Sequence, residues 1–264
     1  MTSIKDAFTV ADGSRKKAFV PFITCGDPSL DVTEEALLAM QRAGADLIEL
    51  GIPFSDPTAE GPVIQEANIR ALSGGVTTDS ILAMVERVRD RGLTVPLVFM
   101  TYANVVFGYG TERFAANAAK AGVQGVILPD VPFEEKAEFS EPLAAEGLEL
   151  VSLIAPTSHE RVRSIAREAK GFVYCVSSLG VTGVRSKITT DIAGMVELVR
   201  EASSIPVAVG FGISTPEQAA RMAAVSDGAI VGSAIVRIVA EHGEGCVPYV
   251  EKYVRSMAEA VHSA

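Results

Sequence analysis

Residues 36–50, ALLAMQRAGADLIEL, hold the fold in miniature. Ala36 to Ala43 places its apolar residues at helical spacing, Gly44 stops the helix, and Asp46–Leu50 reads as a short strand. A glycine just past a helix end takes the left-handed conformation without a Cβ penalty. The unit recurs: Lys120-Ala121-Gly122 precedes Gly125–Leu128, Ala145-Glu146-Gly147 precedes Leu148–Ile154, and Ala169-Lys170-Gly171 precedes Phe172–Val176. Adding Ala18–Ile23, Leu97–Tyr102, Val207–Val209 and Ala229–Val231 brings the strands to eight. All are nearly continuous in Val, Ile, Leu and Phe, as suits strands buried on both faces of a parallel sheet.

Helix and strand alternate without a break in composition, which predicts one α/β domain over residues 1–264. Eight strands without a linker favour a closed (β/α)8 TIM barrel. An open, Rossmann-like sheet is the alternative, since strand order is not written in a sequence. Ile4–Phe8 reads as an extra N-terminal helix. Two connections exceed ordinary βα loops: Gly51 to about Pro62, and Ser177 to about Thr190. They follow strands two and six, rise from the C-terminal face where barrel active sites are built, and are expected to be lids.

The chain has 264 residues, 48% of them hydrophobic and 21% charged, which excludes disorder. Mean hydropathy is +0.29, yet charges, Gly or Pro interrupt every apolar run before membrane-spanning length. No signal-peptide layout opens the chain, so a soluble cytoplasmic protein is expected. The net charge of -10 argues against a nucleic-acid partner, which needs a Lys/Arg face. Three unpaired cysteines (Cys25, Cys175, Cys246) suggest reduced thiols.

Strand seven runs into Gly210-Phe211-Gly212-Ile213-Ser214, then Thr215-Pro216-Glu217-Gln218, a good N-cap with Pro at the first helical position and a capping box. Strand eight ends in Gly232-Ser233 and enters the helical Ala234–Val239. Such turns let the backbone approach an anion, and barrels frequently seat a phosphate after strands seven and eight. Neither turn carries Lys or Arg, so backbone amides are expected to hold the group. The dinucleotide fingerprint is not met.

Glu49 sits between Ile48 and Leu50 at the end of strand two. A carboxylate in an apolar strand is costly unless it is paired, protonated or useful, and burial raises its pKa toward acid–base duty. Glu60, Asp56 and Asp130 lie on the same face, although a loop acid taken alone is ordinarily solvated. His159, His242 and His262 end no strand and make no metal cluster, no Ser–His–Asp set is present, and Lys187 lies in the second lid. Proton chemistry therefore falls to carboxylates. Phe22, Met100, Ile127, Leu153, Tyr174 and Phe211, near strand ends, suit a flat aromatic group, and some of them serve as ordinary core.

The run Ile48-Glu49-Leu50-Gly51-Ile52-Pro53-Phe54-Ser55-Asp56-Pro57-Thr58-Ala59-Glu60-Gly61-Pro62 resembles the signature of the tryptophan synthase α subunit family. Pro21–Pro28, Tyr102-Ala103-Asn104, Leu128–Pro132, Gly180-Val181-Thr182-Gly183, Gly210–Ser214 and Gly232–Val236 match in the family's order. The resemblance implies a lyase of tryptophan biosynthesis that cleaves indole-3-glycerol phosphate by a retro-aldol reaction to indole and glyceraldehyde 3-phosphate. Glu49 would be the acid/base and Glu60 the second catalytic carboxylate, at a position where the family's familiar residue is Asp. Thr182 would bond the loop acid and latch the lids. Gly183, Gly212, Gly232 and Ser233 would bind phosphate, and Phe22, Leu153, Tyr174 and Phe211 would enclose indole. Asp56, Asn104, Phe107, Asp130 and Pro132 match positions facing a pyridoxal-phosphate β subunit in an α2β2 heterotetramer. The chain itself would need neither cofactor nor metal. A stand-alone indole-releasing lyase and a non-catalytic, ligand-gated activator of a β subunit are the competing expectations.

Overall fold

Pairing of the strands decides between the closed and the open sheet. The computed structural model describes residues 2–10, 12–176, 191–210 and 212–264. Its strands are β1 (Ala18–Thr24), β2 (Ile48–Gly51), β3 (Leu97–Met100), β4 (Gly125–Ile127), β5 (Glu149–Ile154), β6 (Lys170–Val176), β7 (Val207–Gly210) and β8 (Gly228–Val231). They pair in parallel in chain order, and β8 closes onto β1 through Ala18↔Gly228 to Pro21↔Val231. The fold is a (β/α)8 barrel, and the open sheet is excluded.

Around the sheet run α1 (Ile4–Ala7), α2 (Leu30–Arg42), α3 (Pro62–Ser73), α4 (Thr78–Asp90), α5 (Ala103–Tyr109), α6 (Thr111–Ala121), α7 (Ala137–Ala145), α8 (His159–Glu168), α9 (Ile192–Ala202), α10 (Pro216–Val225), α11 (Ser233–His242) and α12 (Val247–His262). No helix among the described residues is long and apolar enough to cross a membrane.

The pleat sorts side chains into two cores, because successive residues of a strand face opposite ways. Val20, Phe22, Leu47, Val98, Met100, Ile127, Phe172, Tyr174, Ala208 and Ile230 fill the barrel. Phe19, Ile23, Ile48, Leu50, Leu97 and Phe99 pack outward against the helices. Glu49 therefore shares its face with Leu47, inside the barrel. The extra helix α1 closes the N-terminal end: Ile4 is buried in the interior cluster, and Phe8 meets Phe172 at 5.5 Å between ring centroids.

Several boundaries differ from the sequence expectation. Asp46 is no strand residue. Its carboxylate accepts from the Phe19 amide (2.8 Å) and Lys16 (2.7 Å) and contacts His262 Nε2 (2.7 Å), tying α12 to the barrel floor. Tyr102 has left the strand to become the N-cap residue of α5. Gly171 is not the stop of a preceding helix. Ala169 ends α8 in an extended conformation, and Gly171 lies inside β6 with φ +65°. The β5–β6 register shifts beside it, and a Cβ at Gly171 would sit 2.7 Å from Glu149 Oε2. The apparent helix stop is thus a strand irregularity. Gly44 (φ +99°), Gly122 (φ +93°) and Gly147 (φ +77°) do play the expected part.

At the seam of the barrel, a Cβ on Gly228 would stand 2.5 Å from the Ala18 carbonyl oxygen. Backbone faces backbone there, with no flexible side chain to yield. Gly228→Ala is expected to cost about 1–3 kcal/mol in urea unfolding, the usual range for overpacking. An unchanged midpoint would show that the seam can open without loss.

Candidate active site

Glu49 is the second residue of β2, in register with Phe22 of β1 and Val98 of β3. It is 2% exposed. Burial and the nearby charge of Glu60 push its carboxyl from 4.5 to about 8. At neutral pH it holds a proton and is poised to give it away. Tyr174, buried on β6, lies within its field: burial, then the Glu49 charge, hold the phenol well above its ordinary range.

Glu60 departs from the solvated loop acid. It is 4% exposed, and burial raises it to about 7 against the lowering effect of Asn68. The loop carrying it reaches the rim because α3 begins immediately after, with Gly61 as N-cap residue and Pro62 in the first turn. Asn68 Nδ2 donates to Glu60 Oε2 at 2.7 Å, and Gln65 Nε2 donates to the Glu60 carbonyl at 2.7 Å. Tyr102 Oη accepts from the Ala59 amide at 3.2 Å. Asn68, Gln65 and Tyr102 had no assigned role in the sequence. A signal existed for Asn68: it stands among Ile64, Ala67 and Ala71 on the buried side of α3, a polar residue at an apolar position.

On the same rim, after β7, Gly212 adopts φ +82°, a backbone that favours glycine. Thr215 caps α10 in a capping box with Gln218, and Pro216 fills the first turn, as the sequence predicts. Gln218 Oε1 also accepts from the Ser214 amide (2.8 Å), fixing the turn. Gly232 is the N-cap residue of α11, Ser233 its first residue, and no side chain caps that helix start. The helix dipole and amides there favour an anion.

Phe22 stands on β1, between the ends of β2 and β8. A Cβ on Gly51 would meet its ring at 2.6 Å, and one on Gly232 would meet it at 3.2 Å. Likewise a Cβ on Gly210 would strike Tyr174 Oη at 2.4 Å. Glycines at the ends of β2, β7 and β8 thus make room for aromatic side chains over the mouth. A cavity of about 530 Å³ opens on this face, lined by Met100, Leu153 and Tyr174 among others. Ile127 is fully buried in the interior cluster and serves as core. Phe211, Thr182, Gly183 and Lys187, with the expected second lid Ser177–Thr190, lie outside the described residues.

The five residues expected at a partner surface are all exposed on loops or helix starts of the same end. Asp56 follows β2, Asn104 and Phe107 lie on α5, and Asp130 and Pro132 follow β4. Phe107 is 45% exposed while its ring packs on Phe139 at 4.7 Å. Asp130 accepts from the Ala103 amide at 3.1 Å, holding the start of α5.

The tryptophan synthase alpha chain family model matches residues 8–262. A tryptophan synthase alpha chain from Geobacter sulfurreducens is 51% identical over 239 residues, covering 90% of each chain. One from Shouchella clausii is 46% identical over 248 residues, 90% of this chain and 92% of its own. Among solved structures, the tryptophan synthase subunit alpha from Legionella pneumophila superposes with a TM-score of 0.85 at 37% identity, covering 94% of both chains. A chain of the Mycobacterium tuberculosis tryptophan synthase gives 0.85 at 35% identity, over 94% of this chain and 93% of its own.

Proposed function

Because the chain belongs to the tryptophan synthase alpha chain family, we propose that Glu49 and Glu60 carry out its chemistry between them, on a rim whose turns after β7 and β8 bind phosphate. The reaction is the retro-aldol cleavage of indole-3-glycerol phosphate to indole and glyceraldehyde 3-phosphate, a lyase step of tryptophan biosynthesis. Protonation at indole C3 makes the ring an electron sink. Loss of the proton from the hydroxyl on the attached carbon then drives C3–C bond breakage and leaves an aldehyde. Glu49, protonated at neutral pH, supplies or relays these protons. Glu60 accepts the indole N–H and stabilises the positive charge that grows on the ring.

Phe22, Leu153, Tyr174 and Phe211 enclose the indole. Gly212, Gly232 and Ser233, with Gly183, take the phosphate through backbone amides, and Thr182 latches the lids. The 264 residues act as one domain in the cytoplasm. No step above requires a cofactor on this chain; pyridoxal phosphate belongs to the β subunit. That partner docks on Asp56, Asn104, Phe107, Asp130 and Pro132 in an α2β2 assembly.

The observation carrying this proposal is a buried, proton-holding Glu49 on the same rim as the glycine turns after β7 and β8. Indole release from indole-3-glycerol phosphate, measured with and without a β subunit, tests it. Slow release alone and faster release with the partner are expected. Fast release alone would favour the stand-alone lyase, and none in either case the non-catalytic activator. For the phosphate seat, Gly232→Val is expected to raise KM by about tenfold, since the side chain crowds Phe22 and the helix start. An unaltered KM would count against it.

A further inference from the structure

We propose that Asn68 is the positioning residue that holds the Glu60 carboxylate in place at the mouth of the barrel. The inference rests on the catalytic part assigned to Glu60 above. Three observations support it. Asn68 is 3% exposed, and its side-chain amide donates to Glu60 Oε2 at 2.7 Å. An amide buried on a helix face costs free energy unless its hydrogen bonds are made, so the group is held there by what it binds. Next, Gln65 holds the Glu60 carbonyl, so main chain and side chain of the acid are both fastened to α3. Finally α3 is itself anchored: Arg70 donates from Nε and Nη2 to the two oxygens of Asp27, both at 2.8 Å, and Asp27 is buried in the loop after β1.

Among the described residues, two titratable groups face Glu60. Glu49 approaches from β2 and Tyr102 from the start of α5, and neither supplies positive charge. Burial opposes ionisation, and among the described residues the Asn68 amide favours it. A carboxyl group can stabilise the positive charge that grows on the indole only when it is ionised. Removing the amide donor therefore raises the Glu60 pKa and moves the acidic limb of the rate profile to higher pH.

The test is the pH profile of kcat for the full chain with saturating β subunit, comparing wild type with Asn68→Ala, Asn68→Asp and Glu60→Gln. Asn68→Ala is expected to shift the acidic limb upward by about one pH unit, with kcat recovering at high pH and KM little changed. Asn68→Asp has almost the same shape but sets a second carboxylate against the first, so its limb moves further. In a Glu60→Gln background, changing Asn68 is expected to leave the profile alone. If Glu60→Gln keeps full activity, the assignment of Glu60 fails. If Glu60→Gln loses activity but both Asn68 variants keep the wild-type limb, Glu60 stands and the role of Asn68 is overturned. Should Asn68→Ala not fold, the isosteric Asn68→Asp decides alone.

Discussion

Glu49→Gln is expected to lower kcat for indole release by about 10²–10⁴-fold, the usual span for a lost general acid–base group. The amide has nearly the same volume, so the aromatic walls and the glycine turns keep their places and KM stays close to wild type. Loss in KM instead of kcat would mean that Glu49 binds substrate and does not move its protons. The same substitution is expected to make the protein more stable in alkali. Glu49 holds its proton up to about pH 8 when folded, against 4.5 unfolded. The native state therefore binds more protons than the unfolded chain between these values, and stability falls as pH rises through them. Glutamine has no proton to lose. At pH 8.5 the variant should melt higher, by about 2–4 °C for each kcal/mol of relieved desolvation, and below pH 4.5 the two should melt together. Calorimetry at both pH values checks the sign.

Arg89→Met is the largest expected effect away from the mouth. Arg89 lies on α4 and donates to the carbonyls of Leu93 (2.9 Å), Val95 (2.7 Å) and Gly122 (2.8 Å from Nη2) and to Gln124 Oε1 (3.0 Å). One guanidinium thus satisfies the end of α6 and the chain entering β3 and β4. Its burial lowers the pKa to about 10, still far above neutral, so it works as a cation. Methionine fills the space of the stem but takes the guanidinium donors from the Leu93 and Val95 carbonyls, while Gly122 still accepts from Gln124 Nε2 and Gln124 Oε1 from the Leu97 amide. A loss of about 2–4 kcal/mol is expected, since each partly buried acceptor left bare costs about 1–3 kcal/mol and water reaches some of them. Urea unfolding measures it. A loss under about 0.5 kcal/mol would show that solvent replaces the whole network.

Most of the barrel was legible because its signals are local. Strand cores such as Leu97–Met100 and Val207–Val209 are continuous apolar runs, and the Thr215-Pro216-Gln218 start of α10 is written in adjacent residues. Errors came where long-range contacts decide. Gly171 resembles a helix stop in one dimension, but Ile4 and Glu149, far away in the chain, crowd its Cα. Asp46 follows a helix and precedes an apolar run, yet its partners come from positions 16, 19 and 262. In the site, Glu49 was legible as a charge in an apolar strand. The burial of Glu60 was not, because the group that receives it, Asn68, sits on the next helix and only the folded chain brings the two together.

Phe22 touches the ends of two strands that neighbour its own, resting where neither Gly51 nor Gly232 has a side chain. Size at these three positions is therefore constrained as a sum and not one by one. A mutational path that enlarges either glycine must first shrink the phenylalanine, so the order of the single changes decides which of them survive.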